Sequence, residues 1–166
     1  ALYSFTGKEK VLDVGAGRGL LAIGVAKRLT GGQVTALDIW RTQDLSENTK
    51  GALLANARSE GVDDCIEVLS DDICTTHLAG DSFDLVVSNL CLHNIPAAED
   101  RAKACYQILR LLKPGGTAII SDFKHTATYS KVFHEAGAEV KKIGTYIFST
   151  FPALTIIKIK KPAGTQ

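Results

Sequence analysis

The stretch VLDVGAGRG, residues 11–19, limits the possible folds of this chain more than any other feature. An apolar segment runs into three glycines spaced two apart, and a helix-like pattern follows at once. Glycines permit a tight turn whose backbone a ligand can approach, and a helix N-terminus presents unpaired N–H groups. The stretch therefore predicts a strand, a ligand-binding turn and a helix, with tight packing of the turn as the alternative.

Apolar periodicity predicts alternating strands and helices along the chain. Strands are predicted at 10–14, 33–37, 66–69, 83–88 and 117–121, and helices at 20–29, 46–60, 97–112 and 126–137. A turn is predicted at 113–116, where the sequence is KPGG. Two last strands, at 140–148 and 154–160, have no helix between them and must form a hairpin. This order predicts an α/β fold, a parallel sheet covered by helices on both faces.

Length and composition indicate one globular domain without a charged partner. The 166 residues carry a net charge of +1 and no basic or acidic block, so we expect no nucleic acid and no anionic membrane as partner. No apolar run reaches about 18 residues, the length that a membrane span needs. The four cysteines form no C-x-x-C pair, which favours reduced thiols and a cytoplasmic protein.

Acidic residues follow two of the predicted strands. Asp38 ends the second strand, where a carboxylate can accept hydrogen bonds from both ribose hydroxyls of a nucleoside. Asp72 and Ile73 follow the third strand, where the carboxylate can accept from an adenine amine and the N–H can donate to a ring nitrogen. Because open α/β sheets bind ligands at the carboxyl ends of their strands, these residues predict a nucleoside site. A capping or solvated aspartate is the alternative at Asp38.

In order and spacing, the motifs of this chain resemble the class I S-adenosylmethionine-dependent methyltransferases. They are VLDVGAGRG (11–19), TALD (35–38), SDDI (70–73), DSFDLVVSNLCLHNI (81–95), LRLLKPGGTAIISDF (109–123) and HEAGAEV with the terminal hairpin (134–161). The resemblance implies a Rossmann-like, doubly wound sheet of seven strands in the order 3-2-1-4-5-7-6, with strand 7 antiparallel, in three αβα layers. It also implies S-adenosyl-L-methionine as cofactor and S-adenosyl-L-homocysteine as product.

The resemblance further implies which residues contact the cofactor. The turn residues Gly15, Ala16, Gly17 and Gly19 would line its methionine portion, and Asp13 would lie near its amino group.

The remaining cofactor contacts come from the next three strands. Asp38 would bind the ribose, with Ile39 packed on the adenine. Asp72 and the N–H of Ile73 would bind the adenine edge. The segment of Ser88, Asn89 and Leu90 would pass beneath the sulfonium.

The motif DSFDLVVSNLCLHNI resembles the branch of the family that methylates small molecules such as quinones, sterols or metalloids, which implies a small-molecule acceptor. Asn89 is not followed by Pro-Pro-Tyr or Pro-Pro-Phe, which argues against an adenine or glutamine amine as acceptor. Alignment supplies much of the rate of such a transfer, so a base is needed only for an acceptor that must lose a proton.

His93 is the candidate base, because an unperturbed imidazole pKa of about 6.5 suits that role. A histidine that caps the loop or packs on the cofactor is the alternative. Asp122, after the fifth strand, is a second candidate for catalysis or substrate contact. Asn94 stands where many relatives carry a second histidine, which argues against a metal. Cys91 beside His93 is expected to be an apolar filler rather than a nucleophile.

Residues 39–45 form an insertion between the second strand and its helix, longer than the usual connection of about 2–6 residues. Trp40 and Arg41 lie in it, and we expect them to fold over the cofactor or shape the acceptor pocket. A tryptophan tucked against the helix is the alternative. Only residues 1–9 precede the first strand, so we expect the single domain, residues 1–166, to lack an N-terminal cap. An upstream segment or a homodimer would then complete the acceptor pocket, if it is not simply open.

Two other functions are compatible with parts of the sequence. A module that binds S-adenosylmethionine without its own activity, as a subunit or sensor, would share the cofactor motifs. A nicotinamide-dependent dehydrogenase would share the glycine turn, but Leu20 stands where its G-x-G-x-x-G motif needs a third glycine.

Overall fold

The fold was determined from a computed structural model, which describes residues 2–41, 46, 48–146 and 152–164. Within them, strands and helices alternate from the first strand to the third and from the third helix to the sixth strand, whereas the third strand is followed by the fourth with no helix described between them. The strands are β1 Lys10–Val14, β2 Gln33–Asp38, β3 Ile66–Ser70, β4 Phe83–Asn89, β5 Leu112–Asp122, β6 Glu139–Tyr146 and β7 Leu154–Lys160. The helices are α1 Leu20–Ala26, α2 Lys50–Ser59, α3 Ala98–Leu111 and α4 Thr126–Glu135, with short 3-10 turns at Asp63–Cys65 and Leu92–Asn94.

The described strands form one seven-stranded sheet in the order β3-β2-β1-β4-β5-β7-β6. Neighbours from β3 to β5 pair in parallel, and β7 pairs antiparallel with both β5 and β6. The predicted strand order and the reversed last strand are therefore confirmed.

Helices cover both faces of the sheet, because side chains alternate in direction along each buried strand. On β1, Val11 belongs to a core cluster with Ala22 of α1 and Leu53 of α2. Its neighbour Leu12 belongs to the cluster on the other face, with Ile108 of α3. The central strands are apolar on both faces for this reason, and the predicted three layers are confirmed.

Helices α1 and α2 depart most from their predicted bounds. Helix α1 ends at Ala26 rather than at residue 29, because the amides of Arg28 and Leu29 bond three residues back and tighten the chain into a turn. Helix α2 begins at Lys50 rather than at Ser46. Its cap is Thr49, whose hydroxyl accepts a hydrogen bond from the amide of Ala52 at 3.1 Å.

The sequence predicted a turn at 113–116 ahead of the fifth strand. This prediction is wrong, because these residues lie inside β5. Phe83 pairs with Leu112 and Leu85 with Thr117, so four residues of β5 face one residue of β4. Gly115, with φ of +73°, allows this bulge, and its amide bonds to the carbonyl of Lys161. The predicted strand 140–148 corresponds to β6, and its predicted last two residues, 147 and 148, lie outside the described residues.

Candidate functional site

The carboxyl ends of β1, β2 and β4 and the segment after β3 surround a cavity of about 1040 Å³. This volume is at the upper end of the range of about 300–1,000 Å³ typical of small-ligand sites. All but one of the residues predicted to contact the cofactor line the cavity: Asp13, Gly15, Ala16, Gly17, Gly19, Asp38, Ile39, Asp72, Ile73, Asn89 and Leu90. The exception is Ser88, whose buried hydroxyl donates a hydrogen bond to the carbonyl of Val14 at 2.9 Å.

The glycine turn needs its glycines for geometry as well as for access. Gly15, Gly17 and Gly19 have φ values of +73°, +54° and +94°, in the left-handed region that favours glycine. The amide of Gly15 donates to the carbonyl of Leu37 at 2.8 Å, and the amide of Gly17 donates to Oδ2 of Asp38 at 2.8 Å. The end of β2 therefore fixes the shape of the turn.

Asp38 is the most heavily bonded acid of the cavity. Besides Gly17, it accepts hydrogen bonds at Oδ1 from the amide of Trp40 at 2.6 Å and from Nδ2 of Asn48 at 3.3 Å. Asn48 also lines the cavity and is buried, and no described residue donates a hydrogen bond to its Oδ1. Asn48 was not predicted as a site residue, because an asparagine just before a helix resembles an ordinary capping residue.

Asp13 places a buried carboxyl group beneath the turn. Its Oδ2 accepts a hydrogen bond from the amide of Ala22 at 2.8 Å. The pKa of Asp13 is raised to about 7, chiefly by desolvation, with the hydrogen bond from Ala22 opposing the rise and the charge of Asp38 adding to it. A cation in the cavity beside Asp13 would favour the ionised form.

The segment after β3 forms a tight turn that faces the same cavity. Oδ1 of Asp72 accepts a hydrogen bond from the amide of Cys74 at 2.8 Å, which leaves Oδ2 as the oxygen with capacity for a ligand. Asp71 bonds to the hydroxyl of Thr76 at 2.6 Å. Ile73 is buried and lines the cavity.

The two candidate catalytic residues, His93 and Asp122, lie together. Nδ1 of His93 is 2.7 Å from Oδ1 of Asp122, although off the direction of a hydrogen bond, and the amide of His93 donates to Oδ2 at 3.1 Å. Asp122 is fully buried, and the His93 ring packs edge-on against Phe123. Neither His93 nor Asp122 is among the residues that line the cavity. The sequence indicated each of them as a separate candidate, and it showed neither their contact nor this offset from the cavity.

Cys91 fills space behind the glycine turn. A Cβ atom added to Gly15 would lie 2.2 Å from Sγ of Cys91. Burial raises the pKa of the Cys91 thiol well above its usual range, and the charges of Asp38 and Asp13 act in the same direction. A thiol that holds its proton is a poor nucleophile, which supports the expected role as a filler.

The structure separates the two residues of the predicted insertion. Arg41 lines the cavity, whereas Trp40 does not. Trp40 packs against the core cluster beneath α1 and α2, and its indole N–H donates to the hydroxyl of Ser70 at 2.7 Å. This placement matches the alternative, a tucked tryptophan, rather than a lid. Residues 42–45 of the insertion lie outside the described residues, as does residue 47 beyond it.

Within the described ranges, no group of three or more histidine, cysteine, aspartate and glutamate side chains is placed to hold a metal ion. Among the helices described, none is both long enough and apolar enough to cross a bilayer.

Comparison with known proteins identifies many relatives. Residues 12–120 match the family model described as a methyltransferase domain. An uncharacterized methyltransferase of Mycobacterium tuberculosis is 35% identical over 128 residues, 77% of this chain and 57% of the relative. A structure of S-adenosylmethionine-dependent methyltransferases from Methanosarcina mazei superposes with a TM-score of 0.76 at 18% identity, over 96% of this chain and 95% of that one.

Two further relatives carry more specific names. A ribosomal protein L11 methyltransferase of Syntrophotalea carbinolica is 38% identical over 115 residues, 69% of this chain and 32% of the relative. A ubiquinone biosynthesis O-methyltransferase of Alkalilimnicola ehrlichii is 35% identical over 134 residues, 79% of this chain and 48% of the relative. The chain thus spans about a third to just over half of the length of these relatives.

Proposed function

Because the chain belongs to the class I S-adenosylmethionine-dependent methyltransferases, we propose that it transfers a methyl group from S-adenosylmethionine to a small-molecule acceptor. The observation that carries this proposal is the cavity, which brings the glycine turn, Asp38 and Asp72 to one wall. This arrangement suits a ligand with a ribose, an adenine and a charged amino acid end.

The residues present fit this cofactor. Asp13 would hold the ammonium group, since a cation beside it would stabilise the buried carboxylate. Asp38 would accept from the ribose. Oδ2 of Asp72 and the amide of Ile73 would hold the adenine edge, and the exposed part of Ile39 would pack on its face. When bound, S-adenosylmethionine supplies a methyl group on a positively charged sulfur.

Proton removal would fall to His93, as an acceptor hydroxyl would pass its proton to Nε2 while the oxygen takes the methyl group. The carboxylate of Asp122 beside Nδ1 favours a proton on that nitrogen, which leaves the lone pair of Nε2 free to accept. The hydrogen bond from the backbone amide of His93 to Oδ2 of Asp122 holds the two residues together. This role requires that the acceptor bind on the β4 and β5 side of the cavity.

Several features favour a small acceptor over a protein or nucleic acid. The net charge of +1 gives no broad field for a charged macromolecule. The apolar side chain of Leu20 lines the cavity and is 77% exposed. We infer that an apolar acceptor, or a second copy of the chain in a homodimer, covers it. The relatives named for ubiquinone and for a ribosomal protein define the two acceptor classes to compare.

Methyl transfer is tested by incubating the chain with radiolabelled S-adenosylmethionine and a panel of phenols and quinols, with ribosomal protein L11 as the competing acceptor. Labelled small-molecule product supports the proposal, and labelled protein alone contradicts its acceptor class. Because His93 and Asp122 do not line the cavity, the second candidate function is a module that binds S-adenosylmethionine without turnover. Tight binding with no labelled product from any acceptor would favour that module.

A further inference from the structure

Asp38 has too few lone pairs left to hold a ribose by itself. A carboxylate offers about four acceptor sites. Three are engaged within the protein, by the amides of Gly17 and Trp40 and by Nδ2 of Asn48. A ribose with adjacent hydroxyl groups brings two donors to this wall. One donor can use the remaining site on Asp38, and the second needs another acceptor.

Asn48 carries that acceptor. Its side chain is 4% exposed, it lines the same cavity, and its Oδ1 has no hydrogen-bond partner among the residues that the structure describes. An unpaired buried acceptor is destabilising, so such groups in native sites are usually paired by a ligand or water.

The orientation of the Asn48 amide follows from its neighbours. Nδ2 lies 3.3 Å from both Oδ1 of Asp38 and the carbonyl oxygen of Arg41. The flipped amide would place an oxygen against these two acceptors, which would repel it. The unpaired atom is therefore the oxygen. Both bonds of Nδ2 are longer than the usual range of about 2.7–3.2 Å, so a small rotation of the amide can turn the enclosed Oδ1 towards a ligand.

We propose that Asn48 and Asp38 share the ribose of the bound ligand, with one hydroxyl donating to Asp38 and the other to Oδ1 of Asn48. The inference rests on the proposed binding of S-adenosylmethionine and names a second ribose-binding residue in that site. It makes Asn48 a determinant of selectivity for a ligand with both hydroxyls, because an analogue that lacks one leaves a buried acceptor unpaired.

The test is a calorimetric titration that combines variants of Asn48 with changes in the ligand. The ligands are S-adenosylhomocysteine and its 2′-deoxy and 3′-deoxy analogues. On the unmodified chain, removal of either hydroxyl should weaken binding, by about tenfold or 1.4 kcal/mol. Asn48→Ala should weaken S-adenosylhomocysteine by a similar factor. For the deoxy analogue that lacks the hydroxyl bound by Asn48, the same substitution should leave the affinity unchanged.

Two further variants separate direct binding from a structural role. Asn48→Thr retains an acceptor oxygen, so this variant should bind S-adenosylhomocysteine more tightly than Asn48→Ala does. Asn94→Ala removes an asparagine that lines the same cavity in the segment after β4, and should affect all three ligands equally. Thermal unfolding without ligand verifies that each variant is folded.

Two results would overturn the inference. If Asn48→Ala weakens all three ligands by one common factor, Asn48 only orients Asp38 and the shared ribose is wrong, while the proposed function stands. If the unmodified chain binds none of the three ligands, the proposed function fails and the inference fails with it.

Discussion

Gly15 and Cys91 are packed so closely that no side chain fits between them. A Cβ atom on Gly15 would lie 2.2 Å from Sγ and 2.5 Å from Cβ of Cys91. The first strand and the segment after the fourth thus meet at the backbone of the glycine turn. The contact explains why the first glycine of the motif is needed even without a ligand.

Gly15→Ala is therefore expected to destabilise the fold. Overpacking costs about 1–3 kcal/mol, and a left-handed backbone adds about 1–2 kcal/mol for a residue with a side chain. Chemical denaturation measures the loss. Gly24→Ala is the matched control, because Gly24 lies inside α1 with no atom within 4 Å of an added Cβ. It should raise the free energy of unfolding by about 0.5–1 kcal/mol. Equal stability of the Gly15 variant and the unmodified chain would disprove the packing argument.

Asp13→Asn should change stability in a pH-dependent way. Desolvation raises the pKa of Asp13 from 3.8 to about 7, so the folded state binds this proton more tightly than the unfolded state does. The contribution of Asp13 to the free energy of unfolding is most favourable below pH 3.8, and it is lost as the pH rises through about 7. The variant should gain stability over the unmodified chain between about pH 4 and 7, by an amount on the order of 4 kcal/mol.

Asp84→Asn is the control with the opposite sign. Burial raises the pKa of Asp84, but hydrogen bonds from Lys113 and the amide of Lys10 outweigh it and lower the pKa below 3.8. This stabilisation is present above the pKa that Asp84 has in the unfolded state, and it is lost as the pH falls through its lower pKa in the folded state. The Asp84 variant should therefore be less stable than the unmodified chain at neutral pH and equal to it in strong acid. A pH-independent difference for Asp13→Asn would contradict its raised pKa.

His93→Gln should lower kcat without changing cofactor affinity. Loss of a general base costs about 10²–10⁴-fold, and His93 does not line the cavity. Steady-state kinetics with an acceptor that must lose a proton measures kcat, and calorimetry measures the affinity for S-adenosylhomocysteine. The exposed His134 provides the control variant His134→Gln. An unchanged kcat would exclude His93 as the base.

Trp40→Phe should affect stability rather than binding. The substitution keeps an aromatic ring against the core and removes the hydrogen bond to Ser70, worth about 0.5–1.5 kcal/mol. Thermal unfolding and ligand titration separate the two effects, with Tyr106→Phe on the exposed face of α3 as control. Weakened ligand binding at unchanged stability would restore the hypothesis that Trp40 is a lid.

The sequence predicted the sheet better than the ends of its helices. The order of strands came from a resemblance in motif spacing, and each buried strand was visible as an apolar run. The start of α2 was misplaced because Ser46 and Thr49 are both good capping residues, and only tertiary packing selects Thr49. The KPGG segment has the composition of a turn, and its role as a bulge depends on pairing between β4 and β5.

The candidate site, too, could be predicted from the sequence only in part. Residues in recognised motifs, such as Gly17 and Asp72, lie where the sequence predicted them, on the cavity. Asn48 belongs to no motif, and only its contact with Asp38 across an insertion reveals it. The offset of His93 from the cavity depends on the direction of a side chain, which spacing along the chain does not determine.

Binding of the cofactor tests the central claim most directly. Calorimetric titration of the purified chain with S-adenosylmethionine, S-adenosylhomocysteine and NAD, each in a separate experiment, requires no knowledge of the acceptor. The account predicts micromolar binding of the first two and none of NAD, with Asp38→Ala weakening both. Binding of NAD, or of none of the three, would contradict it.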